Sequence, residues 1–162
     1  MTAPRRCGTM AEPLYRTRGE VMQTWATRHP ELSAGLELPV HSASDAHDPS
    51  AAAAAWNQRI DQLLAVRQLE DDWDGQGSPA PAVEVVDSAL VLALLLRQAG
   101  VEPPTGVVQS VGGEVLFDWQ SPDKYVELEV TGPYTADVFI HVPGQPLRHI
   151  PLHASDAGGA AA

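Results

Sequence analysis

Hydrophobic residues in the first half of the central region recur with helical spacing. A stripe typical of a 3.6-residue helix is formed by Trp56, Ile60, Leu63 and Leu64. Residues 81–99 are apolar nearly all round, and Gly100 follows as a left-handed stop. The pattern predicts two helices, over residues 51–71 and 81–99, with Asp48 or Ser50 capping the first. A helix that is apolar on all sides must be covered on most of them.

Between residues 107 and 152 the period changes to two, which is typical of strands with one buried face. We predict four antiparallel strands, over residues 107–111, 114–119, 124–131 and 136–142, with residues 147–152 as a candidate edge strand. The pair Gly112 and Gly113 predicts a two-residue type I′ turn between the first two strands. The side chains predicted to face the helices are Val115, Phe117, Trp119, Val126, Leu128, Val130, Val138, Ile140 and Val142.

These elements predict an α+β domain with two helices packed on one face of a four- or five-stranded antiparallel meander. Hydrophobic residues are concentrated there, since 31 of the 37 Leu, Ile, Val and Phe residues lie within residues 56–152. We therefore predict a poorly ordered basic arm and linker over residues 1–50, the folded domain over 51–152, and a disordered tail over 153–162.

The charge of the chain narrows the classes of function. There are 21 Asp and Glu residues against 10 Lys and Arg, and residues 56–152 hold 14 of these acids and 5 of the bases. This charge repels the phosphates of nucleic acids and anionic lipids. The single cysteine excludes an internal disulfide, and no apolar run is long enough to span a bilayer. We expect a cytoplasmic bacterial protein that binds neither nucleic acid nor membrane.

The segment that joins the two predicted helices is the most distinctive in the chain. Trp73 is expected to anchor the end of the first helix in the core, and Asp74 to fold its carboxylate onto nearby amides in an Asx turn. Gly75 and Gly77 supply permissive backbone beside them. The motif therefore has a structural interpretation as a tight junction between helices.

With these four residues and the strand over residues 113–119, the chain resembles a family of small uncharacterised bacterial proteins. Its members carry a Trp-Asp-Gly-x-Gly motif between two helices, followed by an antiparallel meander. The resemblance covers residues 56–142, with Gln76 where the family commonly has an aromatic residue and Ser78 where it has Ala. It implies the fold and the domain limits, and it transfers no activity.

The acids of the same segment raise an alternative function. Glu70, Asp72 and Asp74 alternate as in the opening of an EF-hand loop, but the twelfth position is Pro81 instead of the bidentate Glu. A looser Mg²⁺ or Ca²⁺ site remains as the alternative, with a divalent-cation-dependent hydrolase built on residues 70–74. No sequence typical of a nucleophile elbow, a zinc protease or a phosphate-binding loop occurs, so we predict no catalytic residue and no cofactor.

Histidines near the end of the chain are candidate zinc ligands. His141, His149 and His153 would need strand ends to bring them together with a carboxylate such as Asp137. Scattered surface histidines are the commoner case. We therefore predict no metal site.

The side of the predicted sheet that faces away from the helices mixes acids with apolar and aromatic groups. Its candidate partner-binding residues are Leu116, Asp118, Tyr125, Glu127, Glu129, Phe139 and His141, with Val111, Glu114 and Asp137 among them. Such a surface fits a basic protein partner. An ordinary half-solvated face, or one covered by the chain's own basic arm, is the other interpretation. We predict a non-enzymatic accessory or regulatory module, of an antitoxin- or immunity-like kind.

Overall fold

The computed structural model describes residues 38–39 and 49–152. The predicted arm, apart from a few residues, and the predicted tail lie outside the described residues, as does the candidate cap Asp48. Within the described residues two helices come first, α1 over Pro49–Val66 and α2 over Val83–Gln98. The strands follow as β1 Gly106–Gln109, β2 Val115–Ser121, β3 Lys124–Gly132, β4 Thr135–His141 and β5 Arg148–Leu152. Neither described helix combines the length and apolarity that crossing a membrane requires.

The strands form one antiparallel sheet in the order β1-β2-β3-β4-β5, so each strand pairs with its neighbour in the sequence. The α+β meander is confirmed, and the candidate edge strand is present as β5. The strand β4 ends at His141, so Val142 lies just beyond it; its side chain is half-buried and packs against the core, as predicted. Ala136 takes the inward position at the other end of β4.

The sheet has one buried face and one open face. The inward-facing residues of β2, β3 and β4 share a single hydrophobic core with both helices. Side chains alternate along a strand, so the residues between them point the opposite way. We call that second side the open face; no described helix or strand packs on it, and its side chains are half-buried or exposed.

The second helix ends as its sequence predicts. Gly100 has φ 76°, which the missing Cβ permits. The Val101 N–H donates to the Leu96 carbonyl at 3.0 Å and the Gly100 N–H to the Arg97 carbonyl at 3.2 Å. This pair of bonds is a Schellman motif, and it satisfies carbonyl groups that the end of a helix would otherwise leave unpaired.

The first helix is shorter than predicted, because it ends at Val66 and not at Asp71. The amides of Gln68 and Leu69 donate to carbonyls only three residues back, which tightens the last turn. The carboxylates that follow bond to backbone amides of the loop and compete with helix formation. The prediction that Leu64 belongs to the buried stripe is also wrong. Leu64 is 47% exposed, and Val66 is buried instead.

The hairpin between β1 and β2 differs from the predicted two-residue turn. Ser110 and Glu114 close a three-residue loop, with the Ser110 N–H donating to the Glu114 carbonyl at 2.9 Å. Only Gly113 has a positive φ, 91°, and its N–H donates to the Ser110 carbonyl at 3.3 Å. This is the three-residue hairpin in which one left-handed residue follows a turn, so a single glycine suffices.

Two residues of the predicted arm contact the folded domain. Leu38 is only 5% exposed and belongs to the hydrophobic core. The Pro39 carbonyl accepts a hydrogen bond from the Glu102 N–H at 2.8 Å. These two residues of the predicted arm therefore pack on the domain, because an isolated leucine can fill the core without any helical or strand period.

The connection between α2 and β1, residues 101–105, is fixed by side chains from elements distant in sequence. The indole N–H of Trp56 donates to the Val101 carbonyl at 3.1 Å, and that of Trp119 to the Glu102 carbonyl at 2.8 Å. Arg59 donates to the carbonyls of Pro104 and Thr105 at 2.8 and 2.7 Å. These donors satisfy carbonyl groups that have no partner in a helix or sheet, so an irregular segment can pack against the core.

We predict that Trp56→Phe lowers the free energy of unfolding by about 1–3 kcal/mol, because it leaves the Val101 carbonyl buried without its donor. Trp73→Phe is the matched control: its indole N–H donates to the Pro79 carbonyl at an exposed position, where water can replace it. Urea unfolding of both variants measures the difference. Equal losses in the two variants would contradict the role assigned to Trp56.

Candidate functional site

The open face is organised in rows that run across the strands. One row joins Val108 of β1, Leu116 of β2, Glu129 of β3 and Asp137 of β4, and ends at Pro151 of β5. The next row toward the β2–β3 turn consists of Gly106, Asp118, Glu127, Phe139 and His149. Successive rows lie about 6.6–6.8 Å apart, which is two residues along a strand.

Four carboxylates occupy the middle of these rows, and we call Asp118, Glu127, Glu129 and Asp137 the acidic quartet. Asp118 is directly opposite Glu127, and Glu129 is directly opposite Asp137. Like charges that face each other across strands destabilise a sheet. No lysine or arginine is a cross-strand neighbour of any member in the described register. The arrangement concentrates negative charge at a cost to the fold.

The pKa of Glu129 is affected by this arrangement. Burial of its carboxylate raises its pKa, and the negative charges of Glu114, Glu127 and Asp137 raise it further. A raised pKa means that the ionised carboxylate is less stable in the folded protein than in the unfolded chain.

Tyr125 and His149 orient two of the carboxylates. The Tyr125 hydroxyl donates to Glu127 Oε2 at 2.7 Å, and burial together with this carboxylate raises the pKa of Tyr125 to about 12. The His149 Nε2 atom lies 2.6 Å from Asp137 Oδ1. The His149 ring also stacks on Phe139, with centroids 4.8 Å apart and planes within 8°. The acidic quartet therefore has an aromatic border on the β4–β5 side.

The opposite border of the quartet is apolar. Val108 is 50% exposed and lies beside Leu116 on the open face. Val111, at the tip of the β1–β2 hairpin, is 70% exposed. Beside this strip, Asp118 leans over Gly106: a Cβ atom at residue 106 would lie 2.5 Å from Asp118 Oδ1. The carboxylate consequently extends over β1 toward the edge of the sheet.

The structure brings the predicted partner-binding residues together on one surface. Leu116, Asp118, Tyr125, Glu127, Glu129 and Phe139 lie on the open face in adjacent rows, and His141 lies exposed at the end of β4. Sequence reasoning omitted Val108 and His149 from this surface and placed Asp137 only among its surroundings. Their positions follow from the strand register, which alternation within a single strand does not reveal.

The loop between the helices, residues 67–82, uses its acids to hold itself together. Asp74 accepts hydrogen bonds from the Gln76 N–H at 2.9 Å and the Ser78 hydroxyl at 2.6 Å, so the predicted Asx turn forms. Asp72 accepts from the Gly77 N–H at 2.7 Å, and Asp71 accepts from the Ala80 N–H at 3.0 Å. These contacts support the structural interpretation of the motif.

Two details of that loop bear on the predicted motif residues. Gly75 and Gly77 have φ of 69° and 86°, and Asp72 has 66°. The expectation that Trp73 anchors the core is wrong: it is half-buried, lies outside the core and donates to the Pro79 carbonyl at 3.2 Å. The physical reason is that α1 ends early, so the indole closes the loop instead of entering the core.

Candidate metal ligands do not converge in the described part of the chain. Among residues 38–39 and 49–152, no group of three or more His, Cys, Asp or Glu side chains has the geometry to hold a metal ion. Two of the candidate zinc ligands are His149 and His153. His149 contacts Asp137, and His153 lies outside the described residues.

We predict that Asp74→Ala destabilises the protein at neutral pH. The Ser78 hydroxyl and the Gln76 amide hold the pKa of the Asp74 carboxyl below its usual value of 3.8. Its contribution is therefore present above that value and is lost as pH falls through the lower pKa of the folded state. Melting temperatures measured at neutral pH and in acid should show a deficit that shrinks in acid. A deficit that is the same at both pH values would contradict the charge-dependent bonds.

We predict that Glu129→Gln stabilises the protein at pH 7 by about 0.2–1 kcal/mol, by relieving like-charge repulsion. Because the pKa of Glu129 is raised, folding is favoured below its unfolded pKa, and this contribution is lost as pH rises through the folded pKa. The gain should disappear at about pH 4, where the wild-type carboxyl is protonated.

Urea unfolding at both pH values measures this gain, with Asp123→Asn, an exposed acid in the β2–β3 turn, as the control. A variant that is less stable than the wild type at pH 7 would show that Glu129 stabilises the sheet.

No family model, curated protein or solved structure matches the chain. The resemblance carried by the Trp-Asp-Gly-x-Gly motif therefore stays a prediction. What the protein can do follows from the two features described above, the self-bonded loop between the helices and the acidic open face of the sheet.

Proposed function

We propose that the protein is a non-enzymatic accessory or regulatory module that binds a basic protein partner through its open face. The observation that carries this proposal is the acidic quartet, in which two like-charged cross-strand pairs occupy the centre of a sheet face that no described element covers. The repulsion between them opposes folding, and a cationic partner removes it on binding.

The surroundings of the quartet fit recognition of a protein. Leu116 and Val108 on one side and Phe139 on the other offer apolar contact area beside the charges. Protein interfaces combine apolar contact area with polar groups that set orientation and partner choice. Carboxylates on a rigid sheet can accept bidentate hydrogen bonds from arginine side chains.

This geometry suits an antitoxin- or immunity-like role. A basic active site that binds an anionic substrate would be filled by the quartet, because the carboxylates imitate the negative charge of that substrate. Opposite charge also accelerates the encounter of two proteins, and the effect weakens as salt concentration rises. Asp71, Asp72 and Asp74 of the loop between the helices accept hydrogen bonds from their own loop, so the alternative of a cation-dependent hydrolase receives no support from their contacts.

The proposal is tested by isolating binding partners and then removing charge from the open face. The tagged full chain is used to isolate partners from its native host, and mass spectrometry identifies them. The dissociation constant is then measured for the double variant Glu127→Gln with Glu129→Gln. We expect binding to weaken about tenfold or more, with a reduced dependence on salt.

The double variant Asp61→Asn with Asp123→Asn removes the same charge from exposed positions off the open face and serves as the matched control. Since removing Glu129 is expected to stabilise the fold, weaker binding cannot be attributed to unfolding. Equal affinities of the two double variants would exclude the open face as the binding surface.

A further inference from the structure

The two edges of the sheet differ in their protection against another strand. β5 carries Arg148 and, at position 151, a proline that has no N–H to donate. β1 has the sequence Gly-Val-Val-Gln, with neither charge nor proline. In the part of the chain that the structure describes, β1 pairs on one side only, with β2. Edges without such protection are templates for strand addition.

The backbone of β1 has the polar groups that an added strand requires. The Ser110 N–H donates to the Glu114 carbonyl, which places this pair in the hydrogen-bonded class of the β1–β2 ladder. Bonded and non-bonded pairs alternate along antiparallel strands. Gln109 with Val115 is therefore a non-bonded pair, and Val108 with Leu116 is a bonded pair again. The N–H and C=O groups of Val107 and Gln109 consequently point away from β2, toward the outer side of the edge.

The side chains next to this edge on the open face follow the order acid, apolar, acid. Asp118 leans over Gly106 at one end, where the missing side chain leaves it room. Val108 lies beside Leu116 in the middle, and the Glu114 carboxylate lies over the hairpin at the other end, where it accepts from the Ser110 hydroxyl. Each step is two residues along the strand, or about 6.6–6.8 Å.

We propose that β1 accepts an extended segment of the partner as a sixth, antiparallel strand, with the pattern basic-x-apolar-x-basic. The apolar residue packs on Val108, and the two basic residues reach Asp118 and Glu114. The added strand bonds to the outward backbone groups of Val107 and Gln109, and the alternating side chains provide the specificity. This inference rests on the proposed function, because it describes how a basic partner engages the open face.

A designed peptide tests the mode of binding on the full chain. The probe is acetyl-Thr-Arg-Thr-Val-Thr-Arg-Thr-amide, whose arginines lie two residues to either side of the valine. The matched control has the same sequence, with N-methyl groups on the two threonines that flank the valine. It keeps both charges but cannot donate to β1. Titrations followed by amide chemical shifts of the protein give the dissociation constants and the residues affected.

We expect the unmodified peptide to shift the amides of β1, and the N-methylated peptide to bind about tenfold more weakly or worse. Gln109→Pro removes one outward N–H at an edge position and should weaken the unmodified peptide to a similar degree, whereas Gln109→Thr should not. Gly106→Ala displaces the Asp118 carboxylate, because an added Cβ atom would clash with it. Only the flexible end of the Asp118 side chain has to move, so binding should fall several-fold without being lost.

Equal binding of the two peptides would overturn strand addition and leave the acidic face as a purely electrostatic surface, so the proposed function would stand. Self-association of the wild type that Gln109→Pro abolishes would assign the edge to a second copy and also overturn the inference. Conversely, a partner complex that is insensitive to Glu127→Gln with Glu129→Gln but lost in Gln109→Pro would reject the proposed function and retain strand addition.

Discussion

Burial of α2 against the inward face of the sheet is the interaction on which the rest of the structure depends. The helix is apolar on most of its circumference, and Val86, Leu92 and Leu96 are almost completely buried. A helix of this composition cannot remain exposed to water, so the sheet must turn one complete set of alternating side chains toward it. The opposite set is thereby directed outward, and the open face is a direct consequence of covering the helix.

The acids of the open face oppose folding, whereas the residues of the core stabilise it. Glu127 and Glu129 face Asp118 and Asp137 across the strands, and burial together with the neighbouring negative charges raises the pKa of Glu129. A sheet selected for stability alone would carry opposite charges at such pairs. Under the proposed function, the same charges that oppose folding serve binding, a trade-off between stability and function that is common in proteins.

Irregular segments of the fold are held by hydrogen bonds from side chains in addition to apolar burial. In the loop between the helices, Asp72 and Asp74 accept hydrogen bonds from amides of their own loop. Between α2 and β1, Trp56 and Arg59 of the first helix donate to carbonyls about 45 residues away in sequence. These donors position β1, the strand whose outer edge remains available in the described structure.

The sequence by itself determined the two helices, the order of the strands and the two faces of the sheet, because periods of 3.6 and 2 are local properties of the chain. Only the tertiary structure decided the early end of α1, the place of Leu38 in the core, the single left-handed Gly113 and the packing of His149 on Phe139. These features depend on competition for hydrogen-bond partners, on register between strands, or, for Leu38, on the space left in the core, and none of these can be calculated from the spacing of residues within one segment.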